Sequence, residues 1–326
     1  VGMVGRLDAF QRRHRWAGFP LAVVYKFVDD QGTYLTAMIT YYGFVSLFPL
    51  LLLFVTVLGF VLEGNPGLQD RVLESALAQF PVIGDQIGDN IGSFRGSRLA
   101  LAAGVVGSVY GALGVVQAAQ NALNKMWGVP RNSRPNPIFA RVRSLALLAV
   151  GGTVILGTAL LSQVGTADDD FGAGVRAAAI VAAIALNVVL FTVTFRMLTA
   201  RPLTIAQVRT GAIVAALVWQ LLQWSGTFLL GNWLKGASAT YGMFGIVLGL
   251  LAWIYLGAVA FVLSAEINVV RERRMWPRSL LTPFTDNVEL TSADRRAYTS
   301  YAETERHKGF ENVDVDFDPP PRDDPD

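Results

Sequence analysis

Glu266 and Arg196 are the two residues in this 326-residue sequence whose type and setting most invite chemistry, because each closes a long apolar run. A lone charge beside hydrocarbon is costly, so an ionisable residue there pairs, lines a polar passage or serves a gate. Asn121 and Asn268 sit at the ends of two such runs, and Tyr41, Tyr42 and Ser46 lie early in another. Together these seven form a candidate polar gate or structural latch, with Glu266 and Arg196 as expected partners. A second group, Asn187, Gln220, Gln223 and Trp224, falls near the middle of its runs. Gln220 and Gln223 are three positions apart and share a helical face. Such residues either line a polar path or hydrogen-bond helix to helix.

Other chemistries find little support. With no cysteine and only His14 and His307, the chain offers neither thiolate nor multi-histidine metal ligation. Asp168, Asp169 and Asp170 are adjacent carboxylates without complementary ligands and read as an acidic turn. Neither a phosphate-cradling GxxxxGK[ST] loop nor a GxSxG nucleophile elbow occurs. No catalytic, cofactor-binding or metal-binding residue is therefore assigned, and the expected protein is not an enzyme.

The elements that must position these residues are apolar helices. Hydrophobic side chains make up 52% and charged ones 16%, far from the roughly 25% charged of a soluble domain. Apolar runs at 35–62, 99–124, 145–164, 175–198, 211–231 and 241–269 are each long enough to cross a hydrocarbon layer of about 30 Å. The expected fold is all-α: a polytopic membrane protein with six transmembrane helices. Between the first two spans, stripes at Leu73, Leu77 and Phe80 and at Ile83, Ile87 and Ile91 predict external amphipathic helices. Gly107 and Gly111 supply a GxxxG face for close helix contact on the second run.

The nearly balanced charge, 27 basic against 25 acidic residues, is unevenly spread. Lys125, Arg131, Arg134, Arg141 and Arg143 gather around the proline-broken PRNSRPNP connection at 130–137, whereas the Asp168–Asp170 loop has no basic residue. The positive-inside rule then places both termini in the cytoplasm and makes nucleic-acid binding an unnecessary account of the basic residues. Residues 1–33 form a basic, interfacial N-terminal segment, 34–275 the six-helix membrane domain, and 276–326 a polar, acidic cytoplasmic tail expected to be disordered.

TYYGFVSLFPLLL at 40–52, QNALNKMWG at 120–128, FRML at 195–198 and YGMFGIVLGLLAWIYLGAVAFVLSAEIN at 241–268 resemble the YihY/BrkB family, once mislabelled as ribonuclease BN. The resemblance covers about residues 20–275 and implies a bacterial inner (plasma) membrane protein with several passes. Proposals that its members move lipids or other envelope components suggest a transporter or flippase-like permease for an envelope-related amphiphile. The alternative is a non-enzymatic membrane scaffold or accessory subunit of an envelope complex. Expected partners are membrane lipids and a second copy of the chain or an envelope protein, with no nucleic acid and no cofactor.

Overall fold

The computed structural model describes residues 3–61, 98–134, 173–241 and 243–318, with isolated positions at 67, 136, 143–144, 146–147, 150–151 and 153. Helices α1 (Met3–Arg13) and α2 (Arg15–Asp29) form the N-terminal segment. The chain turns at Gln31, whose φ of 58° lies in the left-handed region, and enters α3 (Gly32–Val61), which continues through Pro49. Then come α4 (Arg98–Met126), a 3-10 turn at Arg131–Ser133, α5 (Ala173–Leu198), α6 (Ile205–Tyr241), α7 (Met243–Arg273) and α8 (Ser292–Thr304).

α3 packs along α4, α5 along α6, and α6 along α7, which also meets α3 and α2. Small residues let the backbones approach closely. A Cβ added at Gly111 of α4 would lie 2.5 Å from the Ser46 Cβ and 2.6 Å from the Ser46 Cα of α3. The expected small-residue contact is thus made at Gly111, directly against one of the candidate gate residues.

The core lies at the end of the bundle where α2, α4 and the C-terminus of α7 converge. Leu35 and Ile39 of α3, Leu123 and Met126 of α4, Phe195 of α5, Val208 of α6 and Val262 of α7 are all buried there. Phe195 packs its ring 5.3 Å from that of Phe261. Trp127, just past α4, is fully enclosed.

The expectation of six crossings is corrected. Among the described residues three helical segments are long and apolar enough to cross a membrane: Ala177–Leu198, Ile205–Gln223 and Val247–Arg273. Protein covers only a minority of each. The assignment of both termini to the cytoplasm rests on six crossings and does not survive that count. Apolar length is common to crossing helices and to helices buried in protein, and hydropathy alone does not separate them. The second half of α4 shows this, since Val116, Ala118, Ala119, Ala122, Leu123 and Met126 are buried in the protein core. The run at 145–164 falls almost wholly outside the described residues, as do the amphipathic stripes between 62 and 97 and the Asp168–Asp170 turn. The stretch between the apolar runs at 211–231 and 241–269 is helical, because α6 runs on to Tyr241.

The region from 276 onward contains an ordered element. Thr291 caps α8, accepting a hydrogen bond from the Asp294 amide at 3.1 Å, while the Asp294 carboxylate accepts from the Thr291 amide at 2.9 Å. Such reciprocal caps contribute about 1 kcal/mol. Thr291→Ala is expected to weaken α8 by that amount, seen as faster amide hydrogen exchange over 292–296 with the rest of the bundle unchanged.

Candidate functional site

Lys26 and Asp30 are one helical turn apart at the C-terminal end of α2, so their side chains leave the same face and pair. That face is turned into the protein, leaving each side chain 1% exposed. Glu266, about two turns before the end of α7, is fully buried opposite them, its Oε2 3.8 Å from the Lys26 Nζ. The ammonium also donates to the Met126 carbonyl of α4 at 3.3 Å and lies 5.1 Å from the centre of the Tyr301 ring on α8. Four helices therefore enclose one cation and two carboxylates. Neither Glu266 oxygen takes a hydrogen bond from an N–H or O–H group among the described residues.

A second shell of charge locks the C-terminal segment over this cluster. The Arg278 guanidinium, 1% exposed, bonds Asp294 of α8 at 2.5 Å and Asp29 of α2 at 3.1 Å. Burial works against its charge, but Asp29 and Asp294 more than offset that and hold it protonated beyond the usual arginine range. Tyr301 donates to the same Asp29 carboxylate at 3.1 Å, and Tyr25 donates to the Leu280 carbonyl at 2.9 Å. Arg273 bonds the Trp127 carbonyl and the Ser300 hydroxyl. Gln11 of α1 reaches the Arg278 carbonyl at 2.6 Å.

Burial raises the pKa of Tyr301, and Asp30 and Asp29 raise it further; burial also raises that of Tyr25, against the pull of Arg278. Below the ordinary tyrosine value of about 10, both phenols are protonated whether the chain is folded or not. Above it the unfolded chain ionises and the folded one resists, so stability falls as pH rises. Unfolding at pH 8 and at pH 11 should show this loss, and Tyr301→Phe should reduce it.

The sequence-derived site residues do not form one cluster. Arg196 is exposed and donates to the Leu203 carbonyl at 2.8 Å, so the expected Arg196–Glu266 pair is replaced by Lys26–Glu266. Asn121 is exposed and accepts from Arg134 at 3.0 Å. Tyr41 is exposed and packs its ring edge-on to Tyr42 at 5.3 Å. Ser46, buried, donates to the Gly43 carbonyl at 2.9 Å. Asn268 is buried, its Oδ1 accepting from the Gly211 amide of α6 at 2.6 Å. Asn187 is buried on α5, Gln220 and Gln223 are half-buried on α6, and the Trp224 side chain lies outside the described residues.

Lys26, Asp30, Asp29, Arg278, Asp294 and Tyr301 are the contributors that reading the sequence missed. An opposite-charge pair at i, i+4 just before the first apolar run was the available signal for Lys26 and Asp30.

An all-α bundle with lipid-length apolar helices and a sealed ionic cluster at one end defines an integral membrane protein of the polytopic helical class. A family model described as virulence factor BrkB matches residues 23–286, and the chain belongs to that family. The matched stretch includes Lys26, Asp30, Glu266 and Arg278 and ends before α8. A UPF0761 membrane protein of Psychrobacter sp. is 24% identical over 300 residues, 85% of this chain and 53% of the relative, so the chain spans about half of that relative's length. The ribonuclease-like protein YfkH of Bacillus subtilis is 24% identical over 260 residues, 76% of this chain and 93% of the relative. A UPF0761 membrane protein of Aromatoleum aromaticum is 27% identical over 187 residues, 54% and 44% of the two chains. No solved structure matches. The protein is thus a membrane-embedded, multi-pass helical protein of the bacterial inner membrane. Among the described residues no group of three or more histidine, aspartate or glutamate side chains could hold a metal ion.

Proposed function

We propose that this chain is a transporter or flippase-like permease for a lipid or other envelope-related amphiphile. The observation that carries the reading is Glu266: a fully buried carboxylate on a helix fit to cross the bilayer, with no N–H donor bonded to it among the described residues and a buried lysine opposite it. Charges inside membrane helices are expensive and mark substrate or ion pathways. Lys26 offers an anionic headgroup a cation, and Glu266 and Asp30 offer an amine headgroup two carboxylates, so the cluster can exchange its internal pairs for a zwitterionic or charged head.

The scaffold reading draws on a different feature, the closure of this end by Arg278 and α8. Reconstitution separates the two. Purified protein in liposomes should speed the movement of a labelled phospholipid between leaflets. Glu266→Gln, which keeps the shape and removes the charge, should slow it at least about tenfold, or about 1.4 kcal/mol of barrier, while melting like the wild type. Equal movement with wild type, variant and empty vesicles across a broad lipid panel would sink the permease reading.

A further inference from the structure

α2 presents two opposed faces. Gly18, Ala22 and Lys26, four residues apart, are buried, Gly18 beneath Gln11 of α1. Half a turn away, Trp16, Pro20, Val24 and Val28 repeat the same spacing on the outside, with Trp16 71%, Val24 52% and Val28 63% exposed. An outward-facing apolar stripe of about three turns is not a soluble surface. Beyond the Gln31 turn, Tyr34, Met38 and Tyr41 of α3 are likewise exposed at helical spacing.

The N-terminal end of this face is cationic and aromatic. Arg6, Arg13 and Arg15 are exposed and have no acidic partner among the described residues, whereas Asp8 is taken by Arg12 at 2.7 Å. Phe10 stacks on His14 with centroids 4.3 Å apart, and Trp16 meets Phe10 edge-on at 5.8 Å. Tryptophan beside arginine is the side-chain pairing favoured at the boundary between headgroups and acyl chains. The acids at the far end of α2 are not available to repel an anionic surface, because Asp29 and Asp30 are engaged by Arg278 and Lys26.

We propose that the outer face of α2 is seated in the headgroup–acyl boundary of an anionic phospholipid leaflet. Its valines and Trp16 contact acyl chains, and the free arginines contact lipid phosphates. The surface is separate from the Glu266 cluster on the opposite face, so it stands whether or not the protein moves lipid.

The chain has no cysteine, so single-cysteine variants need no background removal. Val24→Cys and Arg13→Cys carrying nitroxide labels, in the full chain reconstituted with phosphatidylglycerol and phosphatidylcholine, report the surroundings. The label at 24 should relax faster with oxygen, which partitions into lipid, and be shielded from a water-soluble nickel chelate; the label at 13 should be reached by nickel. Nickel access at 24 equal to that at 13 overturns the proposal, and so does shielding of 24 from both agents, the signature of a second copy or another protein on this face. With Arg6, Arg13 and Arg15 changed to Gln, the motionally restricted fraction of spin-labelled phosphatidylglycerol should fall while that of phosphatidylcholine stays constant. An unchanged preference overturns the headgroup assignment.

Discussion

Lys26→Met is expected to destabilise the protein by about 3–5 kcal/mol, the cost of leaving buried charge without its partner. Lys26 is the cation nearest both Asp30 and Glu266, and neither carboxylate can reach water in its place, because they are 1% and 0% exposed. Methionine fills most of the space of the lysine stem, so the loss is electrostatic rather than a cavity. Combining Lys26→Met with Glu266→Gln should recover part of the loss, since one of the stranded anions is gone. The coupling between the two changes should fall in the range of about 0.5–3 kcal/mol typical of contacting groups. Unfolding of the purified protein in detergent measures all three variants. A Lys26→Met protein as stable as the wild type would show that the cluster does not depend on its ammonium.

Gly211→Ala should cost about 3 kcal/mol, at the upper end of what one added methyl does in a packed interior. The new Cβ would overlap the Ser264 carbonyl oxygen and the Asn268 side-chain amide of α7. A carbonyl in a helix cannot swing aside, so α6 and α7 would have to separate. That would also break the 2.6 Å hydrogen bond from the Gly211 amide to Asn268. Gly257→Ala is the matched control on α7. Its Cβ would meet only the Trp219 ring at 3.4 Å, an ordinary contact, and alanine suits a helix better than glycine by about 1 kcal/mol. The two substitutions should therefore move the unfolding transition in opposite directions, and equal effects would show that close approach at Gly211 does not matter.

The burial of Glu266 and Asn268 was foreshadowed in the sequence, because polar groups in an apolar run stand out against their neighbours. Their partners were not. Arg196 and Glu266 close their runs at similar expected depths, yet depth fixes one coordinate, and the direction around the helix axis sends Arg196 to Leu203 instead. Lys26 and Asp30 lie in a segment that composition marks only as interfacial. The Arg278 clamp joins residues 249 positions apart at one contact and 16 at the other, inside a region whose composition suggested a tail. The Gly111 contact was legible in kind, since small residues at helical spacing permit close approach, but the sequence named no partner, and Ser46 supplies it.

By itself, then, the amino-acid order determined that the chain is helical, apolar and built for a lipid bilayer, because composition and run length depend on nothing beyond the local chain. Tertiary structure alone decided which cation answers Glu266 and that residues 275–304 close over the cluster. Those outcomes depend on how helices rotate and pack against one another, and small packing energies spread over distant residues leave no local pattern to read.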